Sequence, residues 1–264
     1  MRPAFLLLPL ALAFGCAAVA PSTVPSAARD ELAPTGKIRV GLIAANPIFV
    51  TPDTPPGQTR GLAVDIAREL AARVGVPVEP LRYATVGALV ESAGKGEWDI
   101  AFLAIDPERA SAMNFTEAYM FTSNTFLVPA GSTAQGIEDL DRPGKTIAAL
   151  ARSAQEIWLK KNAKAATLVS ASSPAAAYQM LREGKVDAVT SAASLLAEGA
   201  KQVPGSRVLA TSYADTPIGM AVAKGRPAAL AYAYQFIADL NAAGTVRDGI
   251  ARHNLAGVRA APPR

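Results

Sequence analysis

The 264 residues contain one cysteine and one histidine, 6% aromatic side chains and only 18% charged ones. The single Cys16 permits no internal disulfide and no paired-cysteine redox or zinc motif, and the single His253 permits no histidine-pair metal motif. A serine–histidine–acid relay would have to run through His253, eleven residues from the C-terminus and far from any nucleophile-elbow sequence, so none is expected. Lys and Arg total 26 against 22 Asp and Glu, a net charge of +4 that is scattered along the chain. With no basic run interleaved with aromatics, nucleic acid is not an expected partner. Gly144-Lys145-Thr146 resembles the end of a phosphate-binding loop, but Asp139 stands where the loop needs its first glycine. The segment reads as a turn before a strand, and no cofactor or metal is expected.

Apolar residues, at 50%, are plentiful, and the longest run of them lies at the start. Met1-Arg2-Pro3 precedes an apolar run from Ala4 to Phe14 and then Gly15-Cys16-Ala17-Ala18. A short basic segment, an apolar core and small residues describe an export signal, and the run is too short to span a bilayer as a helix. Cys16 sits where the apolar core stops, as in the lipobox of bacterial lipoproteins, although Phe14 and Ala13 depart from that pattern. Two outcomes stay open: a lipoprotein signal 1–15 with acylated Cys16, or ordinary cleavage near Ala20 or Ala28, with residues 1–28 as signal and linker. Either way the expected location is extracytoplasmic, soluble or anchored through Cys16.

Past residue 36 the chain alternates short apolar runs with helical periods. Lys37 to Leu42 reads as a strand; Leu62, Ile66, Leu70 and Val74 recur every four residues and stop at Gly75, as a helix does. Val78 to Leu81 is a second strand, Thr85 caps a helix carrying Leu89 and Val90, and Trp98 to Leu103 is a buried strand. The same order restarts at Thr146: strand, helix Ala154 to Asn162, strand at Thr167, helix capped by Ser173, strand at Val186 to Val189. Gly96-Glu97-Trp98-Asp99 and Gly184-Lys185-Val186-Asp187 share one plan. Two α/β lobes follow, each a mostly parallel sheet with helices on both faces. Lobe 1 is expected over 36–127 and 219–256, lobe 2 over 128–218, with a disordered Pro- and Ala-rich tail at 257–264. Asn124 to Pro129 and Ile218 to Ala223 supply two crossings, a two-stranded hinge of the kind that closes lobes over a ligand.

Asp99-Ile100-Ala101-Phe102, Asp106-Pro107-Glu108-Arg109, Asn114-Phe115-Thr116-Glu117-Ala118-Tyr119, Gly61 to Ala67 and Ile218 to Val222 stand in the order of a known family's motifs. From about residue 36 to 252 the chain resembles the extracellular solute-binding proteins of the polar-amino-acid class, family 3. The resemblance implies a type II periplasmic-binding fold, a small polar or carboxylate-bearing ligand held between lobes, no catalysis, a monomer, and delivery to the membrane permease of an ABC importer. The same fold also hosts a cyclohexadienyl dehydratase and sensory or accessory proteins, which stay as alternatives.

Carried over residue by residue, the resemblance implies that Arg109 grips a ligand carboxylate, which suits the forked guanidinium. Ser153 matches a hydroxyl donor to the same group, with Arg152 in place of a glycine; Ser153 also suits the cap of the next helix. Departures lie elsewhere. The acid that would hold an ammonium is replaced by Ala192, the aromatic that would stack on the ligand by Val86, and the first-loop aromatic falls near Asn46. The stretch from Asp99 to Arg109 is two residues shorter than the family's. The expectation is a cleft biased toward anions, unless Asp215 or Glu117 supplies an acid or the ligand turns around Asn46 and Tyr213. Asp65 and Asp99 read as capping or strand-end residues.

Overall fold

The computed structural model describes residues 24–51 and 55–263. Cys16 and nearly all of the proposed export signal lie outside the described residues. The fold opens with α1 (Ser26–Leu32), a helix overlapping the segment read as signal and linker. Its Ala28 and Leu32 are buried, the Glu31 carboxylate accepts from the Ala229 amide at 2.8 Å, and the Glu31 carbonyl accepts from Arg226 at 2.9 Å. Ser26 to Ala28 are thus the first residues of a helix that packs on the folded unit through Ala28 and Leu32, which corrects their assignment to signal or linker.

β1 (Ile38–Ile43), α2 (Leu62–Val74), β2 (Val78–Tyr83), α3 (Val86–Glu91) and β3 (Ile100–Ala104) build the first half. α2 buries Leu62, Ile66, Leu70 and Val74, and its C-terminal Gly75 has φ 76°, a left-handed geometry that glycine adopts freely. Thr85 caps α3 by accepting from the Ala88 amide. After α4 (Pro107–Ala112) comes β4 (Met113–Val128), sixteen residues long. α5 (Ile137–Leu140), β5 (Thr146–Leu150), α6 (Ala154–Asn162), β6 (Thr167–Ala171), α7 (Pro174–Arg182), β7 (Ala188–Ala192) and α8 (Ala193–Ala200) build the second half. β8 (Arg207–Val208) and β9 (Ala214–Ala223) lead back to α9 (Pro227–Ala242), α10 (Thr245–Arg252) and β10 (Val258–Ala260).

The main sheet path runs β2-β1-β3-β9-β4-β7-β5-β6. β2-β1-β3 are parallel, β7-β5-β6 are parallel, and antiparallel β9 and β4 join the two groups. The halves thus share one wiring, strand order 2-1-3 in the first and its equivalent in the second. Consecutive β4 residues Phe126 and Leu127 enter different apolar clusters of the second half, as alternation along a strand demands. The first half has one larger core, around Leu42, Leu70, Trp98 and Phe102.

Both halves are fastened by the aspartate of the repeated Gly-x-x-Asp plan. The Asp99 amide donates to the Arg39 carbonyl at 2.9 Å, locking the entry to β3 against β1. Its fully buried carboxylate accepts from the Arg39 amide at 2.9 Å, Arg39 Nε at 3.0 Å, Arg39 Nη2 at 2.8 Å and Arg226 Nη1 at 2.7 Å. Asp187 repeats this at β7: its amide donates to the Thr146 carbonyl, and its carboxylate accepts from the Thr146 amide at 2.8 Å and Lys145 Nζ at 2.7 Å.

The tail expected to be disordered is ordered as far as residue 263. β10 pairs antiparallel with Met120–Thr122 of β4, the Ala261 amide donates to the Tyr119 carbonyl, and Arg259 bonds Asp215 at 2.9 Å while lying 4.2 Å over the Phe121 ring. Its small and proline residues carry no local signal for a strand; the pairing comes from partners more than a hundred residues earlier.

Two measurements follow from the paired aspartates. Asp99→Ala leaves two part-buried guanidinium groups without their carboxylate, and urea unfolding is expected to show a loss of about 3–5 kcal/mol. Asp187→Ala, at a more exposed pair, is expected to cost only about 1–2 kcal/mol; equal losses would contradict the difference in burial. Burial alone would raise the Asp187 carboxyl, but the Lys145 ammonium and the Thr146 amide hold it below the ordinary aspartate value. A depressed folded value stabilises fully above the unfolded pKa and fades as pH falls through the folded one. The gap between wild type and Asp187→Ala should therefore be constant near neutrality and shrink below about pH 4.

Candidate functional site

β3 ends at Ala104 and α4 begins three residues later, so the first turn of α4 faces the junction of the two halves. Asp106 caps it, its Oδ1 accepting from the amides of Glu108 at 2.9 Å and Arg109 at 3.2 Å, with Pro107 fixed at the first helical position. That cap holds Arg109 in the first turn, where its side chain is buried to 7% exposure. Nη1 donates to the Ala104 carbonyl at 3.1 Å and Nη2 reaches across to the Arg152 carbonyl of the second half at 3.2 Å. Among the described residues the guanidinium is held by carbonyls and not by a carboxylate. Burial lowers its hold on the proton, opposed by the charges of Asp106 and Glu108; a guanidinium remains a cation throughout.

A cavity of about 170 Å³ opens beside it, lined by Val86, Gly87, Val90 and Glu91 of α3, by α4, and by Arg152 and Ile157 of the second half. Arg152 lies between β5 and α6 with φ 62°, the left-handed region, which costs a non-glycine residue about 1–2 kcal/mol. Its Nη1 stands 3.5 Å from Glu91 across the cavity mouth, both side chains largely exposed. Ser153 is the α6 cap, its hydroxyl accepting from the Glu156 amide at 3.1 Å.

The structure thus brings Arg109, Arg152 and Val86 to one cavity, with Ser153 adjoining it. The other sequence candidates do not line it. Asn46 closes its own turn, its Oδ1 accepting from the Ile48 amide and its carbonyl from the Phe49 and Val50 amides. Tyr213 packs on Phe126 and Trp158, ring centroids 4.8 and 4.6 Å away, and its hydroxyl meets Thr190 at 2.8 Å, so it serves the second half's core. Ala192 is buried opposite Asn124 at the end of β7 and begins α8 without a side-chain cap. Asp215 is taken by Ser123 and Arg259, and Glu117 lines a different hollow near α9. Asp65, read as a cap, instead receives Arg252 and His253 at the end of α10.

Sequence reasoning missed the acids. Glu91 and Glu108 line the cavity together with Asp106, so its wall carries both signs of charge rather than a purely cationic surface. The helical spacing was the available signal: Val86 and Val90, and Gly87 and Glu91, are each i, i+4 pairs, and the two adjoining rows of α3 line the cavity together.

A model of the bacterial extracellular solute-binding proteins, family 3, matches residues 38–254. The chain is 28% identical over 200 residues to a glutamine-binding protein of Geobacillus stearothermophilus, covering 74% of this chain and 76% of that one. It is 24% identical over 196 residues to an ABC-transporter glutamine-binding protein of Bacillus subtilis, covering 73% and 71%. Among solved structures it superimposes on an ancestral amino-acid-binding protein, a precursor of cyclohexadienyl dehydratase, with TM-score 0.71 and 27% identity, covering 85% of this chain and 97% of that one. Among the described residues no helix is long and apolar enough to cross a membrane. The match spans both halves and the β4–β9 junction between them: the chain belongs to the bacterial extracellular solute-binding proteins, family 3, with the two-lobed type II periplasmic-binding fold.

Proposed function

We propose that this protein captures a small carboxylate-bearing solute in the Arg109 cavity and delivers it to the permease of an ABC importer, acting outside the cytoplasm either free or anchored through Cys16. The observation that carries the reading is the buried Arg109 guanidinium, partnered by the neutral carbonyls of Ala104 and Arg152. A buried cation with no carboxylate bonded to it favours a ligand that supplies one, and a planar carboxylate fits the guanidinium fork through two N–H donors. The glutamine-binding relatives support this, since every α-amino acid carries such a group.

The ammonium of an amino acid finds no acid at Ala192. It finds Glu91 and Glu108 on the cavity wall instead, so a zwitterion would lie along α3 and α4 rather than point toward β7. Val86 presents an aliphatic wall where stacking would need a ring, which favours an aliphatic or short side chain on the ligand.

Thermal shifts of the protein with L-glutamine, L-lysine, succinate and prephenate, and with the carboxamide of glutamine as control, test this. Free carboxylates are expected to raise the melting temperature and the carboxamide to fail. Arg109→Ala should weaken every hit by about 2–5 kcal/mol, roughly thirty-fold to several thousand-fold, with Arg109→Lys intermediate because it keeps the charge and loses the fork. Hits unchanged by Arg109→Ala would overturn the assignment, and turnover of prephenate would make the protein an enzyme.

A further inference from the structure

Glu156 does not line this cavity but bonds a residue that does, Arg152. Its side chain is buried, at 3% residue exposure, in the first turn of α6, and makes three polar contacts, with a fourth from its backbone amide. Oε2 accepts from the Arg152 amide at 2.6 Å; Oε1 accepts from the Ser170 hydroxyl and lies 3.0 Å from Lys160 Nζ; the Glu156 amide donates back to the Ser153 hydroxyl at 3.1 Å. The short bond to Arg152 falls on the one residue near the cavity whose backbone is left-handed without being glycine.

Two contacts across the cleft depend on that turn. The Arg152 carbonyl receives Arg109 Nη2, and the Arg152 side chain crosses to α3, where its Nη1 lies 3.5 Å from Glu91 and close enough to Gly87 that a side chain there would meet it at 3.4 Å. If the Arg152 backbone relaxed to an ordinary conformation, the carbonyl and the side chain would both swing away, since they flank the same φ/ψ pair. A charged acceptor makes a stronger hydrogen bond than a neutral one and is well suited to holding an unfavourable backbone.

We infer that Glu156 is a positioning residue for the solute site: its carboxylate fixes the left-handed Arg152 turn, and the turn in turn sets how the second half closes on Arg109. The inference rests on the Arg109 cavity being the solute site, but the turn itself is independent of any ligand. Glycine adopts φ near 60° without help, so replacing Arg152 by glycine should make Glu156 dispensable. A purely structural role for Glu156 in packing α6 on β6 would gain nothing from that replacement.

The test is a double-substitution cycle of Glu156→Ala and Arg152→Gly in the full chain, read by calorimetric titration with L-glutamine, L-lysine and succinate and by solution scattering of the ligand-free protein. Glu156→Ala is expected to weaken the tightest of these probes about tenfold and to enlarge the ligand-free radius of gyration; adding Arg152→Gly is expected to return both close to the values of Arg152→Gly alone. If Glu156→Ala does not fold, Glu156→Gln takes its place in the cycle, with the same sign and about a threefold loss. Wild-type-like affinity and radius in the Glu156 variant, or a double variant as weak and as open as the single one, would overturn the inference. If the wild type binds none of the probes, that counts against the proposed ligand class, and the scattering arm still decides the role of Glu156.

Discussion

A guanidinium buried between two protein halves and bonded, among the described residues, only to carbonyl oxygens is the constraint around which this molecule is arranged. Arg109 is placed by the Asp106 cap, faces the end of β3 through Ala104, and touches the second half through Arg152. Asp106 and Glu108 lend it negative charge from nearby but do not bond it, and its burial costs free energy that, under the proposed function, an anionic solute would offset. β3 ends at Ala104, whose carbonyl holds the arginine, and the cavity beside it reaches α3 and Glu91.

Such a site needs walls that do not deform, and the repeated aspartates supply them. Asp99 binds β1 to β3 and draws in Arg226 from the start of α9; Asp187 binds β5 to β7. Because both carboxylates sit at the strand entries, the opposite, carboxyl ends of the strands stay free to present α3, α4 and the Arg152 turn, which is where open α/β sheets bind ligands. The two clamps differ in burial, and so the first half, which carries Arg109, is the more firmly tied.

The local grammar of the fold was readable in the sequence because local physics sets it. Thr85, Asp106, Ser153 and Ser173 cap the helices that their spacing announced, and Gly75 ends α2. The Gly-x-x-Asp repeat marked the matching strands of the two halves. What stayed hidden depends on distant partners: α1 is held by α9 through Glu31, β10 by β4 through Arg259 and Asp215, and the acids of the cavity wall gain meaning only once α3 and α4 face each other. The placement of Arg109 in the first turn of α4 was legible because a cap fixes it locally. That Asn46 closes its own turn and Tyr213 packs in the second half's core was not, because a position counted along the chain says nothing of whether a side chain turns inward to its own loop or core.

The most direct test is a crystal structure of the protein with its tightest-binding carboxylate probe. A carboxylate in bidentate contact with the Arg109 guanidinium at about 2.7–2.9 Å, beside Val86 and under the Arg152 turn, is the predicted result. A ligand seated elsewhere, with Arg109 still bonded only to the carbonyls of Ala104 and Arg152, would contradict the account.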